Sequence, residues 1–313
     1  MTFQFCRDLI LKNLQKVVTN DYVLLDLPYF TNVGDVLIWQ ATEDLLHQLP
    51  HKCIYSASIE SYRKPVIGQD VVIVFMGGGN FGDLWIRHQK FRHQVMVDFP
   101  HNPIVQLPQS VYFQNSDVMK EDALFFSNHQ ADVTIFLRDQ QSYDVISANY
   151  LTVNAFLLPD MVLSLDINRY AKLQSGEGTV LVERNDSEKL CYDRSIVPEY
   201  AEKRDWPTME QIPRYFRLYN YSQALLARID ILLSTHLYHS FADFCFKHYF
   251  KKWIINSGIE FVNRYKVVYS TRLHVTILAT LLDKEVIAFD NSYGKVKGVY
   301  SLWMKELKNI KMM

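Results

Sequence analysis

The sequence predicts an α/β protein built on parallel sheets and divided into two halves. Three observations carry this. Short apolar runs recur along the chain, and several, such as Asp70-Val71-Val72-Ile73-Val74-Phe75-Met76, lack the alternation of a half-exposed strand. Each run feeds a polar turn with glycine, proline or asparagine and then a helical stretch, which is the grammar of a doubly wound sheet. The length, 313 residues, exceeds the usual size of one compact core, so two domains are expected.

In order, Met1 to Lys16 reads as an amphipathic helix; Arg7, Asp8, Lys12 and Lys16 within it exclude a signal peptide. Tyr22 to Leu27 is a strand, and the turn through Asn32-Val33-Gly34-Asp35 leads to a helix from Val36 to about His47. Cys53 to Ser58 and Asp70 to Met76 are strands, and the latter runs through Gly77-Gly78-Gly79-Asn80-Phe81-Gly82-Asp83 into another helix. Pro103 to Leu107 ends in Pro108-Gln109-Ser110, and Val133 to Leu137 ends in Arg138-Asp139. The polar stretch from Asp166 to Gly178 is the expected linker, giving domains at 1–168 and 169–313. Thr179 to Arg184 opens the second set, and Trp206 to Tyr265 is long, aromatic and mostly helical. Tyr265 to Tyr269, the turn Ser270-Thr271-Arg272-Leu273-His274, the helix Val275 to Leu282 and the strand Val286 to Asp290 form one β-α-β unit. Val296 to Met313 reads as a terminal helix carrying Lys305, Lys308 and Lys311.

Composition narrows the function. A net charge of −1 supplies no global basic field for nucleic acid. No uncharged apolar run reaches the roughly 18 residues of a membrane span, because Tyr150 to Leu165 is interrupted by Asn154, Pro159 and Asp160. The expectation is a cytoplasmic protein with at most peripheral contact at the inner membrane face. Cys6, Cys53, Cys191 and Cys245 are scattered and show no metal-ligand spacing. Nineteen Tyr, nineteen Phe and five Trp suit a sugar-handling cleft as well as a bulky core.

The turns at strand ends carry the chemistry. Ser270 or Thr271 can cap the helix behind them, placing Arg272 and His274 in its first turn, where free N–H groups and the dipole welcome an anion. An arginine fork matches phosphate or carboxylate, and a histidine can move a proton near neutral pH. Asp35 can cap its helix or engage a substrate hydroxyl; Arg138 can clamp an anion or sit in a surface salt bridge. Gly77-x-Gly79-x-x-Gly82 matches the spacing of a dinucleotide fingerprint, but the next strand offers no acidic residue at its end. A tight packing turn or close approach of a ligand explains the glycines as well.

Taken together, the set resembles the polysaccharide pyruvyl transferase family. The motifs are Asn32-Val33-Gly34-Asp35, Gly77 to Asp83, Leu107-Pro108-Gln109-Ser110, Arg138-Asp139 with Ser142-Tyr143, Asp160 in Leu158-Pro159-Asp160-Met161, and Thr271-Arg272-Leu273-His274. Arg184-Asn185-Asp186 with Glu188, followed by Asp205-Trp206, is similar to the branch acting on bacterial exopolysaccharides; Thr31 stands where the family usually has glycine. The resemblance implies two Rossmann-like domains facing across a cleft, similar to the GT-B glycosyltransferases. It implies phosphoenolpyruvate as co-substrate, a glycan acceptor (lipid-linked or free), a cyclic pyruvate ketal as product, and no cofactor or metal. Arg272 and His274 would be the catalytic pair, with Leu273, Arg138, Ser270 and Thr271 on the donor side. Asn32, Gly34, Asp35, Gly78, Gly79, Asn80, Asp83, Gln109 and Ser110 would line the acceptor side. Two rivals stand beside this: a glycosyltransferase of the same fold using a nucleotide sugar, and a degenerate sugar-binding relative without catalysis.

Overall fold

The computed structural model describes residues 2–184, 192–233, 235, 237–291 and 294–313. Twelve strands are assigned among them: β1 Tyr22–Leu25, β2 Cys53–Ala57, β3 Val72–Phe75, β4 Gly78–Gly82, β5 Ile104–Tyr112, β6 Val133–Leu137, β7 Asn154–Leu157, β8 Thr179–Val182, β9 Glu202–Arg204, β10 Val267–Ser270, β11 Glu285–Ala288 and β12 Ile310–Met312. They form two sheets. The first runs β2-β1-β3-β5-β6-β7 with β4 added on β5, and the second runs β12-β11-β10-β8-β9. Every pairing is parallel. The uninterrupted apolar runs of β1, β3, β6 and β8 are buried along their whole length, as a parallel sheet covered on both faces requires.

One hydrophobic cluster fills the far face of the first sheet, and another, built with the helices, is shared by both sheets. Val33–Leu46 buries Val33, Val36, Leu37 and Trp39, and Lys251–Asn263 contributes Ile254, Ile255 and Ile259 to the same cluster. Gly258 lets the two helices meet, since a Cβ there would lie 2.3 Å from Val33. No described helix is long and apolar enough to cross a membrane.

Four local expectations need correction. The glycine run does not open a helix: Gly78–Gly82 is strand β4, and the following helix begins only at Ile86. The dinucleotide reading therefore loses its helix N-terminus. Gly82 adopts φ +116, and a Cβ there would fall 1.9 Å from the Tyr112 carbonyl, so a close backbone approach explains this glycine. Strand β5 does not stop at Leu107 but continues through Pro108-Gln109-Ser110. Its register against β6 shifts between Gln106 and Gln109, which accommodates a proline that cannot donate to the ladder. The helix after β1 starts at Val33, three residues earlier than expected, because Asn32 caps it by accepting from the Gly34 N–H at 3.0 Å. The C-terminus is not one long helix. Lys295–Val299 and a wide turn at Tyr300–Met304 lead to β12, which pairs with β11 through Val286 and Ile310. The lysine spacing there mimicked a helical face; Lys311 instead belongs to an edge strand, where charge guards the open backbone.

Candidate active site

The carboxyl ends of β1, β3, β8 and β10 lead to a cavity of about 460 Å³, within the usual range for a small-molecule site. One wall comes from the first half of the chain: Asn32, Asp35, Gly79, Asn80 and His88, with Phe30 and Trp85 at the surface. The other comes from the second half: Arg184, Trp206, Met209, Arg272, Leu273, His274 and Lys295. Three of these side chains are cations and one, Asp35, is a carboxylate.

The Arg272–His274 turn is built differently from its expected form. Helix Leu273–Leu281 has Arg272 as its cap residue and no side-chain cap hydrogen bond. Ser270 sits one step earlier: its Oγ accepts from the Arg272 N–H at 2.9 Å and shapes the turn. Thr271 Oγ1 accepts from the Arg184 N–H at 3.0 Å and ties this turn to the end of β8. Neither residue lines the cavity, because both hydroxyls turn back to backbone. Arg272 is buried, and its Nη2 donates to Asp205 at 2.6 Å.

His274 Nε2 lies 3.4 Å from both Asp160 Oδ2 and Arg138 Nη1. The imidazole thus sets this nitrogen between a buried carboxylate and a buried guanidinium. Its Nδ1 edge faces Gly34, where a Cβ would fall 2.3 Å away. Gly34 does not line the cavity; it makes room for the histidine.

Arg138 is not at the surface. It is fully buried, with Nε donating to Ser110 Oγ at 2.9 Å and Nη1 ion-paired to Asp160, which is itself fully buried. Its Nη2 has no hydrogen-bond partner and lies 3.1 Å from where a Cβ on Gly79 would sit. Arg138 is thus a buried guanidinium with one donor left unpaired beside a cavity-lining glycine. Burial opposes ionisation of Asp160, but Arg138 and His274 outweigh it and hold its carboxyl well below the usual range. Lys295 completes the charge: its Nζ lies 2.2 Å from the same Cβ position, so Gly79 leaves room for a cation.

The first-half wall is a closed network. Asn80 Oδ1 accepts from Arg92 Nη2 and from Gln109 Nε2, which orients the amide so that its Nδ2 donates to Asp26 Oδ2 at 3.2 Å. Asp26 in turn holds His88 Nδ1 at 2.8 Å. With the carboxylate taking the Nδ1 proton, Nε2 of a neutral His88 is left as an acceptor. Asp26 occupies φ +67, a conformation that carries strain for a non-glycine residue and clusters at functional sites.

Several expected residues therefore stand one layer back. Gln109 and Ser110 support Asn80 and Arg138, and Gly78 packs near Asp35. Asp83 faces away: its carboxylate accepts from the Gln114 and Asn115 N–H groups at 2.7 and 2.8 Å. Asn185, Asp186 and Glu188 lie outside the described residues. Asp26, His88 and Lys295 escaped sequence reading. Asp26, a lone acid at the end of an apolar run, was a usable signal. His88 and Lys295, each from a helix, had none.

The chain is similar to known proteins over most of its length. The family model described as polysaccharide pyruvyl transferase matches residues 32–293. The chain is 30% identical over 312 residues to the putative pyruvyl transferase EpsO of Bacillus subtilis, covering 94% of this chain and 88% of that one. It is 25% identical to pyruvyl transferase 1 of Schizosaccharomyces pombe, over 90% of this chain and 69% of that protein. An uncharacterized protein of Klebsiella pneumoniae has the same fold, with TM-score 0.65 at 23% identity over 100% of this chain and 99% of that one. The chain belongs to the polysaccharide pyruvyl transferase family.

Proposed function

We propose that this protein transfers the enolpyruvyl group of phosphoenolpyruvate to two hydroxyls of a sugar, forming a cyclic pyruvate ketal in bacterial surface-polysaccharide synthesis. The observation that carries the reading is that Arg272, Lys295 and His274 line one cavity, with the buried Arg138 3.4 Å from His274, opposite a wall bearing Asp35 and His88. A donor with one phosphate and one carboxylate needs several cations, and the start of the Leu273–Leu281 helix adds its N–H groups and dipole.

In this scheme His274 protonates the methylene carbon, a sugar hydroxyl adds to the adjacent carbon and gives up its proton, and the phosphate leaves. The second hydroxyl then closes the ring. One hydroxyl proton ends on the new methyl group and the other leaves as hydrogen phosphate, so charge and atoms balance. The donor dianion lies beside His274 in this scheme, where the imidazole can hand over its proton. On the acceptor wall, Asp35 and His88 Nε2 accept from sugar hydroxyls, and Phe30 and Trp85 offer faces for the sugar ring. Residues 1–168 and 169–313 act in this reading as two Rossmann-like domains facing across the cavity, as in GT-B glycosyltransferases. The scheme uses no cofactor or metal, and the protein works in the cytoplasm.

The test is phosphate release from phosphoenolpyruvate by the purified protein against a panel of glycans. Activity is expected with at least one acceptor, falling at least about 10²–10³-fold in Arg272→Ala. His274→Ala is expected to lose activity and the corresponding limb of the pH–rate profile. Turnover of a nucleotide sugar without phosphoenolpyruvate would overturn the reading, as would an unchanged His274→Ala.

A further inference from the structure

The helix Arg214–Leu233 is one-sided in an unusual sense. Its inner face is firmly seated: Phe216 and Tyr219 are buried against Phe246 and Phe250, with ring centroids 4.9–6.0 Å apart. Its outer face is also apolar. Leu218, Tyr221, Leu225 and Leu232 are 68%, 77%, 60% and 80% exposed, at spacings of three, four and seven that put them on one stripe about 20 Å long. A stripe of this size is more than scattered surface apolar residues provide.

The charges beside it share one sign. Arg214, Arg217 and Arg228 are the cations of this helix, and its one acid, Asp230, is buried. That carboxylate turns inward to the N–H groups of Leu237 and Tyr238. The chain links this helix to the cavity rim: Met209, which lines the cavity, and Ile212 are both exposed just before the helix begins.

We propose that this face seats the protein on an anionic lipid bilayer. Leucines enter the headgroup–acyl boundary, Tyr221 sits at the polar interface, and the arginines meet lipid phosphates. The lysine-bearing terminal segment is committed elsewhere: Trp303, Met304 and Ile310 are buried and β12 is part of the second sheet. If the reaction proposed above holds, this seating brings the cavity rim toward an acceptor carried by a lipid. The surface itself does not depend on that reaction.

Co-sedimentation of the full chain with vesicles tests the proposal. Vesicles of equal phosphatidylcholine and phosphatidylglycerol are expected to pellet the protein at low salt. Pure phosphatidylcholine is expected to do so weakly, and about 1 M salt, which screens charges beyond ~3 Å, to release it. The triple variant Leu218→Ser, Tyr221→Ser, Leu225→Ser is expected to lower partitioning at least about tenfold. Arg214→Gln with Arg228→Gln, which keeps the apolar stripe, is expected to remove mainly the salt-sensitive part. Phosphate release with a free acceptor should be unchanged in the triple variant, so vesicle binding and the reaction can fail separately. Absence of pelleting, or pelleting indifferent to both variants, overturns the proposal. So does a wild-type dimer that the triple variant dissociates in sedimentation velocity, which would assign the face to a second copy of the chain.

Discussion

The two walls of the cavity hold their side chains in contrasting ways. On the first-half wall Asn80, Arg92, Gln109 and Asp26 direct their polar atoms at one another, and the product of that network is one oriented imidazole, His88. On the second-half wall Arg272 is steered by Asp205 and His274 by Asp160. The first arrangement fixes geometry. The second steers cationic and imidazole side chains with carboxylates behind them. Asp160 joins the two, since it follows β7 of the first sheet yet holds a histidine of the second half. A wall of mutually satisfied groups suits recognition of neutral hydroxyls; a wall of steered cations suits an anionic donor.

Breaking the junction should have the largest effect. Asp160→Asn leaves the fully buried Arg138 without its counter-ion, and removing one partner of a buried pair costs about 3–5 kcal/mol. Urea unfolding measures this. Acid titration gives the sign. The Asp160 carboxyl is held below its usual value in the folded protein, so its contribution is present above about pH 4, the unfolded value, and is lost as pH falls from there toward the depressed folded one. The variant lacks this contribution and should show a shallower acid limb than wild type.

Gly34→Ala separates geometry from stability. The new methyl would lie 2.3 Å from His274 Nδ1, so the ring must move. A displacement of that kind is expected to cost about 10²-fold in turnover. Alanine at this helical position recovers about 0.5–1 kcal/mol of backbone entropy, which offsets part of the crowding. A melting temperature within a few degrees of wild type, with activity largely lost, is the expected pair of results. Full activity would mean the histidine's position does not matter.

Asp26→Asn probes the other wall. Asparagine tolerates the left-handed backbone at φ +67, so the turn is retained while the carboxylate behind His88 disappears. Loss of such a supporting group is expected to lower activity about tenfold, by analogy with outer-shell partners of histidine ligands. The loss should appear in the acceptor KM or kcat, with the phosphoenolpyruvate KM unchanged. A change confined to the donor KM would break the division between the walls.

These variants also show where sequence reading reaches. Uninterrupted apolar strands and the turns behind them were legible because a doubly covered parallel sheet leaves little freedom in pattern. Arg272 and His274 were legible because strand end, turn and helix are contiguous in sequence. Arg138 was located but left open between clamp and surface pair, since its burial, which removes the surface alternative, depends on Asp160, Ser110 and Trp303, the last of which donates to its carbonyl from 165 residues away. The glycine run was misread for a related reason: whether Gly82 opens a helix or joins a strand is settled by Tyr112 across the sheet, not by its neighbours. Long-range partners decide both.

Asp83 is the quietest case and tests this lesson directly. Its place after the glycine run suggests a ligand, yet its carboxylate serves the Gln114 and Asn115 N–H groups, just ahead of the helix Ser116–Ser127 that Asn115 caps. Asp83→Ala removes acceptors for backbone donors at an exposed turn, a loss worth about 1 kcal/mol. Because the turn is solvated, water replaces part of what is removed, so the shift in urea midpoint should be small. Neither phosphoenolpyruvate nor acceptor kinetics should change. A selective rise in acceptor KM at unchanged stability would return Asp83 to the acceptor wall and extend that wall's network beyond Asn80.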